Sequence, residues 1–257
     1  MSTETETETH DAVAALEAVV EKDSQPLDTH HTLRVLISGT ASGIGRETAR
    51  YFLERGHEVC GIDIQAASID NHRYQHFVAD VRQASKLPEL PWLPEIVISN
   101  AGVQASGHDI DTNLKGALNL CEKYCFQEGH PQQALRSCVL VGSSSGHTGA
   151  EFPAYAASKG GVLAYAKNLA QRLAPKAVCN SIDPGGVIGE LNRPVIEDPK
   201  LLQRIMELTP LKRWATEQEI ATWIYFVSVH NRFMTGQNLL IDGGEAGSFD
   251  FVWPHES

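Results

Sequence analysis

The segment Ser38-Gly39-Thr40-Ala41-Ser42-Gly43-Ile44-Gly45 constrains this chain more than any other. An apolar run at 34–38 leads into it and a helical pattern at 43–55 follows. Glycines in such a turn let the backbone curl tightly. They leave free N–H groups at the positive end of a helix, an arrangement that receives phosphate. A second apolar run, 58–64, carries Asp63, 24 residues after Gly39. An acid at that place meets the adenosine ribose, so the stretch reads as a strand–turn–helix–strand site for a dinucleotide.

The alternation that starts here continues down the chain. Further strands are predicted over 76–80, 95–99, 138–142, 177–182 and 238–242, and helices over 109–126, 153–173, 199–208 and 217–230. Short strands rich in Val, Ile and Leu, separated by helices, predict an α/β fold. It is a single-domain, doubly wound Rossmann fold with a parallel sheet of about seven strands. Pro88, Pro91 and Pro94 make 87–94 an extended connector. The expected organisation is an acidic tail over 1–32, one domain over 33–247 with a substrate lid at 189–213, and a C-terminal tail over 248–257. The first tail is polar low complexity followed by a short helix over 11–22. That helix places Val13, Leu16 and Val20 at helical spacing.

At 257 residues the chain can bury one large core. Lys and Arg total 21 against 32 Asp and Glu, a net charge of −11, which argues against nucleic acid or an anionic membrane as partner. Residues 1–30 hold eight acids and one base, so −7 of that charge sits in the tail. No stretch approaches the ~20 continuous apolar residues of a membrane span, and an acidic start is the opposite of a signal peptide. A cytoplasmic protein is expected. The five cysteines are odd in number and scattered, which suits reduced thiols. Cys121 and Cys125 lie one helical turn apart, yet no His or second Cys pair flanks them at finger-like spacing, so no metal site is expected.

Tyr155-Ala156-Ala157-Ser158-Lys159 puts a phenol and an ammonium on one helix face, twelve residues after Ser143 of Ser143-Ser144-Ser145-Gly146. Together with the glycine turn this resembles the short-chain dehydrogenase/reductase family, from about Leu33 to Gly244. Further pieces match in order. They are Asp80 and Val81 in Val-Ala-Asp-Val, Asn100-Ala101-Gly102, Asn113 in Thr-Asn-Leu-Lys-Gly, Pro184-Gly185, and Asp242-Gly243-Gly244.

The resemblance implies hydride transfer between nicotinamide and a secondary alcohol or ketone, with Tyr155 as the acid/base. A tyrosine titrates near ~10 in water, so work near pH ~7 requires about 4 kcal/mol of differential stabilisation of the phenolate. Lys159 would supply part of it and hold the nicotinamide ribose. Ser143 would steady the substrate oxygen, a role that Ser144 and Ser145 contest; Gly146 three residues on favours Ser143. Asn113, within a helix it would distort, would hold a water on Lys159. The cofactor is expected to lie on Gly39, Ser42, Gly43, Ile44, Gly45, Asp63, Asp80, Val81, Asn100, Ala101, Gly102, Pro184, Gly185 and Val187. Asp63 favours NAD, because a carboxylate accepts from a 2′-hydroxyl and repels a 2′-phosphate.

The chain departs from the family pattern in three places. The link from Asn100 to Asn113 spans only thirteen residues, Gly189 stands where the family carries a Thr, and Ser99 precedes Asn100 in place of Asn. Leu191, Ile196, Leu201, Ile205 and Met206 give the lid an apolar inner face. His147 and Arg193 are the polar candidates for substrate contact, beside Ser143 and Tyr155. Two alternatives stay open: reduction of a carrier-linked 3-oxoacyl chain, and a non-catalytic dinucleotide sensor. A symmetric homo-oligomer, tetramer or dimer, is expected through the helices at 109–126 and 153–173. In the C-terminal tail Phe249, Phe251, Val252 and Trp253 are too apolar to stay in water.

Overall fold

In the computed structural model, which describes residues 31–126, 135–150 and 152–247, seven strands form one parallel sheet. The architecture below belongs to the compact unit Thr32–Ser257. The expected helix at 11–22 and the apolar C-terminal tail lie outside the described residues. The strands are β1 (Arg34–Ser38), β2 (Glu58–Asp63), β3 (Tyr74–Val78), β4 (Ile96–Ser99), β5 (Ser137–Val141) and β6 (Val178–Pro184). A two-residue pair follows, β7 (Val187–Ile188) and β8 (Ala215–Thr216), and then β9 (Asn238–Ile241). The large sheet runs β3-β2-β1-β4-β5-β6-β9, while β7 and β8 pair separately. All strands run parallel, but the order in which they are added reverses between β1 and β4, and a crevice therefore opens at the carboxyl ends of these strands.

The helices are α1 (Gly43–Glu54), α2 (Gly116–Cys125), α3 (Ser144–Thr148), α4 (Pro153–Leu173), α5 (Arg193–Ile196), α6 (Pro199–Leu208) and α7 (Glu217–Tyr225). Strands β4 and β5 are buried at every residue, as a strand can be only when both sheet faces are covered. On one face Leu36, Val97, Cys138 and Cys179 pack against Leu120 and Tyr124 of α2 and Val162 and Leu169 of α4. On the other, α1 lies against α7, with Phe52, Ile220 and Ile224 fully buried. Helix α4 starts with Pro153 in its first turn, where the missing N–H is not needed.

All five cysteines are buried free thiols. The Sγ atoms of Cys121, Cys125 and Cys138 lie within 4.8 Å of one another. Hydrogen bonding to Cys121 and Cys138, with burial, holds the Cys125 thiol well above its ordinary value. Protonated thiols inside an apolar core pack as small hydrophobes.

The expected elements are present, and the structure alters several of them and adds short ones between them. Strand β3 begins and ends two residues earlier than the pattern suggested, because its partner β2 ends at Asp63, which pairs with Val78, and Ala79 then turns away. The predicted 109–126 helix opens as a π-helical turn, Ile110–Lys115, before α2. Asn113 sits in that turn, as its expected distortion of the helix required. The predicted 217–230 helix also ends in π-helical form, at Phe226–His230. Helix α3, only five residues long, has no apolar period that could announce it.

Candidate active site

The glycine turn closes β1 onto α1. Gly39 and Gly43 both hold left-handed backbone, at φ +76 and +62, and a Cβ on Gly45 would overlap the carbonyl of Gly39. Ser42 caps α1 without a side-chain hydrogen bond, and no acid stands in the first turn. The orphan N–H groups and the helix dipole therefore remain available to an anion. Asp63 is fixed at the end of β2, where its Oδ2 accepts from Ala41 N at 2.9 Å and its Oδ1 from Gln65 N at 2.9 Å.

A cavity of about 1320 Å³ runs from this turn to α4. It is lined by Gly39, Ser42, Gly43 and Ile44, then by Asp63, Asp80 and Val81, and by Asn100, Ala101 and Gly102. Ser143, Tyr155, Lys159, Pro184, Gly185, Val187 and Leu191 line it further on. Gly45 supports the turn from behind. Asp80 accepts a two-toothed ion pair from Arg82, whose hydrogen bonds hold its carboxyl down at about 2.

Tyr155 and Lys159, one turn apart on α4, are 8% and 5% exposed. Lys159 Nζ donates to the carbonyl of Val141 at 2.8 Å and lies 5.7 Å from the centroid of the Tyr155 ring. Burial lowers the Lys159 ammonium to about 8, with the charge of Asp183 opposing the change. Ser143 is the N-cap of α3; its Oγ accepts from Ser145 N at 3.2 Å. Ser144 and Ser145 reach the same cavity.

Asn113 lies behind this wall, 3% exposed. Its Oδ1 accepts from Val103 N at 2.7 Å, and its Nδ2 donates to Val103 O and to Ser158 Oγ, each at 2.9 Å. The amide thus clamps the segment after Gly102 onto α4.

Two of the substrate candidates are not where the sequence placed them. His147 turns away from the cavity and bonds Asp183, because α3 rotates it onto the end of β6. Arg193 pairs with Glu190 and borders a separate hollow beside Arg46, Ile196 and Glu217. Of the five apolar lid residues, Leu191, Leu201 and Ile205 line the cavity, Ile196 lines the hollow, and Met206 lines neither.

Sequence reasoning passed over three residues at the site. Trp214 lies across Gly186, where any Cβ would overlap its indole. Glu245 accepts from Trp214 Nε1 at 2.9 Å, Thr209 Oγ1 at 3.1 Å and Gly186 N at 3.1 Å. Glu217 fills the space in front of Gly189, and burial raises its carboxyl. The one available signal was the position of Glu245 straight after Asp242-Gly243-Gly244.

Residues 99–245 match a family model described as enoyl-(acyl carrier protein) reductase, more than half of the chain. The chain is similar to an uncharacterized oxidoreductase of Schizosaccharomyces pombe, 29% identical over 82% of this chain and 89% of that one. It is also similar to the 3-oxoacyl-(acyl-carrier-protein) reductase of Staphylococcus aureus, 27% identical over 83% and 98% of the two chains. Among solved structures, a 4-hydroxyisoleucine dehydrogenase complexed with NADH superposes with a TM-score of 0.72 at 26% identity, over 84% and 99% of the two chains. The switch-point crevice, the glycine turn and the paired Tyr155 and Lys159 agree with these likenesses, and the chain belongs to the short-chain dehydrogenase/reductase family.

Proposed function

We propose that this chain is an NAD(H)-dependent oxidoreductase that interconverts a secondary alcohol and its ketone. The observation that carries the reading is one cavity with the glycine turn and Asp63 at one end and Ser143, Tyr155 and Lys159 at the other. The residues present fit a dinucleotide. The turn leaves no room for a side chain at Gly39 or Gly45, and α1 offers an uncapped, acid-free N-terminus to a diphosphate. The likeness to an NADH complex supports the same cofactor.

When bound, the nicotinamide accepts or supplies the hydride at the carbinol carbon. Tyr155 takes the hydroxyl proton during oxidation and returns it during reduction. Ser143, whose Oγ accepts from Ser145 N, keeps its own proton to donate to the substrate oxygen. Lys159, held by Val141, stabilises the phenolate through its positive charge in a water-poor pocket. Asn113 keeps the Gly102–Val103 wall in place beside it. Asp63 turns its carboxylate to a ribose and selects NAD over NADP.

A second reading, reduction of a carrier-bound 3-oxoacyl chain, is favoured by the staphylococcal relative and by the apolar lid of Leu191, Leu201 and Ile205. Turnover across a panel of secondary alcohols with NAD, set against a 3-oxoacyl thioester with NADPH, separates the two. Absence of turnover with every pair would leave the sensor reading.

A further inference from the structure

A second ionisable pair stands behind the site, and the mechanism above makes no use of it. Asp183, the penultimate residue of β6, is fully buried. Its Oδ2 lies 2.7 Å from His147 Nε2, and among the described residues its Oδ1 accepts no hydrogen bond. The His147 side chain is 29% exposed, so the pair links the interior to solvent.

The place of the carboxylate is specific. β5 and β6 pair in register up to Val141 opposite Ile182, so Gly142 and Asp183 stand opposite each other one step on. A Cβ on Gly142 would overlap Asp183 Oδ1, and only glycine admits the carboxylate there. The residue before Gly142 is Val141, whose carbonyl receives Lys159 Nζ; the residue after it is Ser143. One buried carboxylate therefore supports the three-residue segment that holds both Lys159 and the substrate-facing hydroxyl.

We propose that Asp183, held by His147, is a positioning residue that sets a buried negative charge behind Val141–Ser143 and keeps Lys159 in its ammonium form. The proposal rests on the use of Lys159 given above. A buried ammonium loses its proton readily unless a negative charge faces it. Lys159 is faced by Asp183 from β6, by Tyr155 on its own helix, and by the neutral Asn113 amide from the π-helical turn. Asp183 is faced in turn by His147 from α3 and Lys159 from α4. Burial raises the Asp183 carboxyl, against the hydrogen bonds of His147 and Ser181 and the charge of Lys159. His147 thus favours the ionised carboxylate, and Asp183 in turn favours the charged ammonium.

The test reads Lys159 directly, in the full chain without cofactor, by carbon-13 NMR of lysine Cε. Its signal is assigned by its loss in Lys159→Arg. The wild-type signal should titrate near about 8. Asp183→Asn should move that midpoint to lower pH by roughly half a unit or more. His147→Leu should move it the same way by weakening the ionised form of Asp183, and His147→Gln, which still offers an N–H, should restore it. An unchanged midpoint in a folded Asp183→Asn variant overturns the proposal. If that variant does not fold, an unchanged midpoint in His147→Leu overturns it instead. Full turnover in Tyr155→Phe would defeat the proposed function and leave the Lys159 titration where it was, so the two failures are distinguishable.

Discussion

Lys159 is anchored to the backbone beside the Tyr155 ring: its Nζ donates to the Val141 carbonyl at 2.8 Å and stands 5.7 Å from the centroid of the phenol ring. The ammonium thus has a fixed place in the fold before any ligand arrives. Tyr155→Phe should leave the dissociation constant for NAD within about twofold and cut turnover at least ~100-fold, because the acid/base is lost and the cofactor contacts are not. Lys159→Ala should damage both quantities. Calorimetry with NAD and steady-state rates on the same preparations check the pair; near-normal turnover in Tyr155→Phe would end the mechanism.

The burial of Lys159 also sets a pH dependence for stability. Its value falls from 10.5 to about 8 on folding. Between those values the unfolded chain holds a proton that the folded chain has released, so stability rises with pH across that window. Below about 8 the folded state carries the whole cost of a charged amine in its interior, on the order of 3 kcal/mol. Relative to Lys159→Met, the wild type should gain stability as pH rises from 8 to 10.5. Urea denaturation of both proteins over that range measures it, and parallel curves would show that Lys159 is not desolvated.

Asp63 is held by two backbone N–H groups, so it cannot swing away from a 2′-phosphate. NAD should bind at least ~10-fold more tightly than NADP, since an unpaired phosphate facing this carboxylate costs at least about 1 kcal/mol. Arg46 does not offset it, for its guanidinium lies 3.2 Å from Glu47 and 3.8 Å from Glu217. Asp63→Ser should narrow the preference. Equal dissociation constants in the wild type would mean that Arg46 leaves these acids for the phosphate.

How much of this was legible depended on whether the signal was local. Parallel, doubly covered strands are continuous apolar runs, so 34–38 and its successors could be read directly, as could the Pro153–Leu173 helix. The glycine turn was legible because backbone geometry there admits no other residue. The edge strand β3 was misplaced by two residues because its span depends on where β2 stops. The π-helical turn at Asn113 follows from a clamp onto Val103 and Ser158, the second of them 45 residues away. His147 was placed at the substrate because Ser143 was; the short helix α3 that turns it onto Asp183 has too few residues to show a period. Trp214 and Glu245 meet across 31 residues of chain, a contact no spacing rule contains.

That last contact gives a prediction of its own. Glu245 gathers Thr209, Trp214 and Gly186 beside the turn after β6. Glu245→Ala leaves Trp214 Nε1 and Gly186 N unpaired beside a partly buried pocket, while Thr209 keeps its bond to the Ile205 carbonyl; this costs about 2–3 kcal/mol, or roughly 5–10 °C in Tm for a domain of this size. The substrate KM should rise with it, because Trp214 and Thr209 line the cavity. Differential scanning calorimetry and substrate titration test both parts, and an unchanged Tm would show that the network is not formed in solution.

Self-association is the final expectation. Strand β9 ends the sheet order and is unpaired on its outer side among the described residues. An open edge of this kind is normally covered or made unattractive to pairing. Leu240 on this strand is exposed, and so are three large apolar side chains elsewhere on the surface: Trp223 on α7, Phe226 in the π-helical turn and Phe233 in the loop that follows, Phe233 at 96%. Trp223 and Phe226 also pack edge to face, with ring centroids 6.1 Å apart, which gives the surface a fixed shape. Closed symmetric assemblies are the usual way to cover such surfaces. Light scattering should therefore return a mass of two or four chains, and Phe226→Glu should lower it while NAD affinity per chain holds. A monomer in the wild type would show that these side chains stay in water.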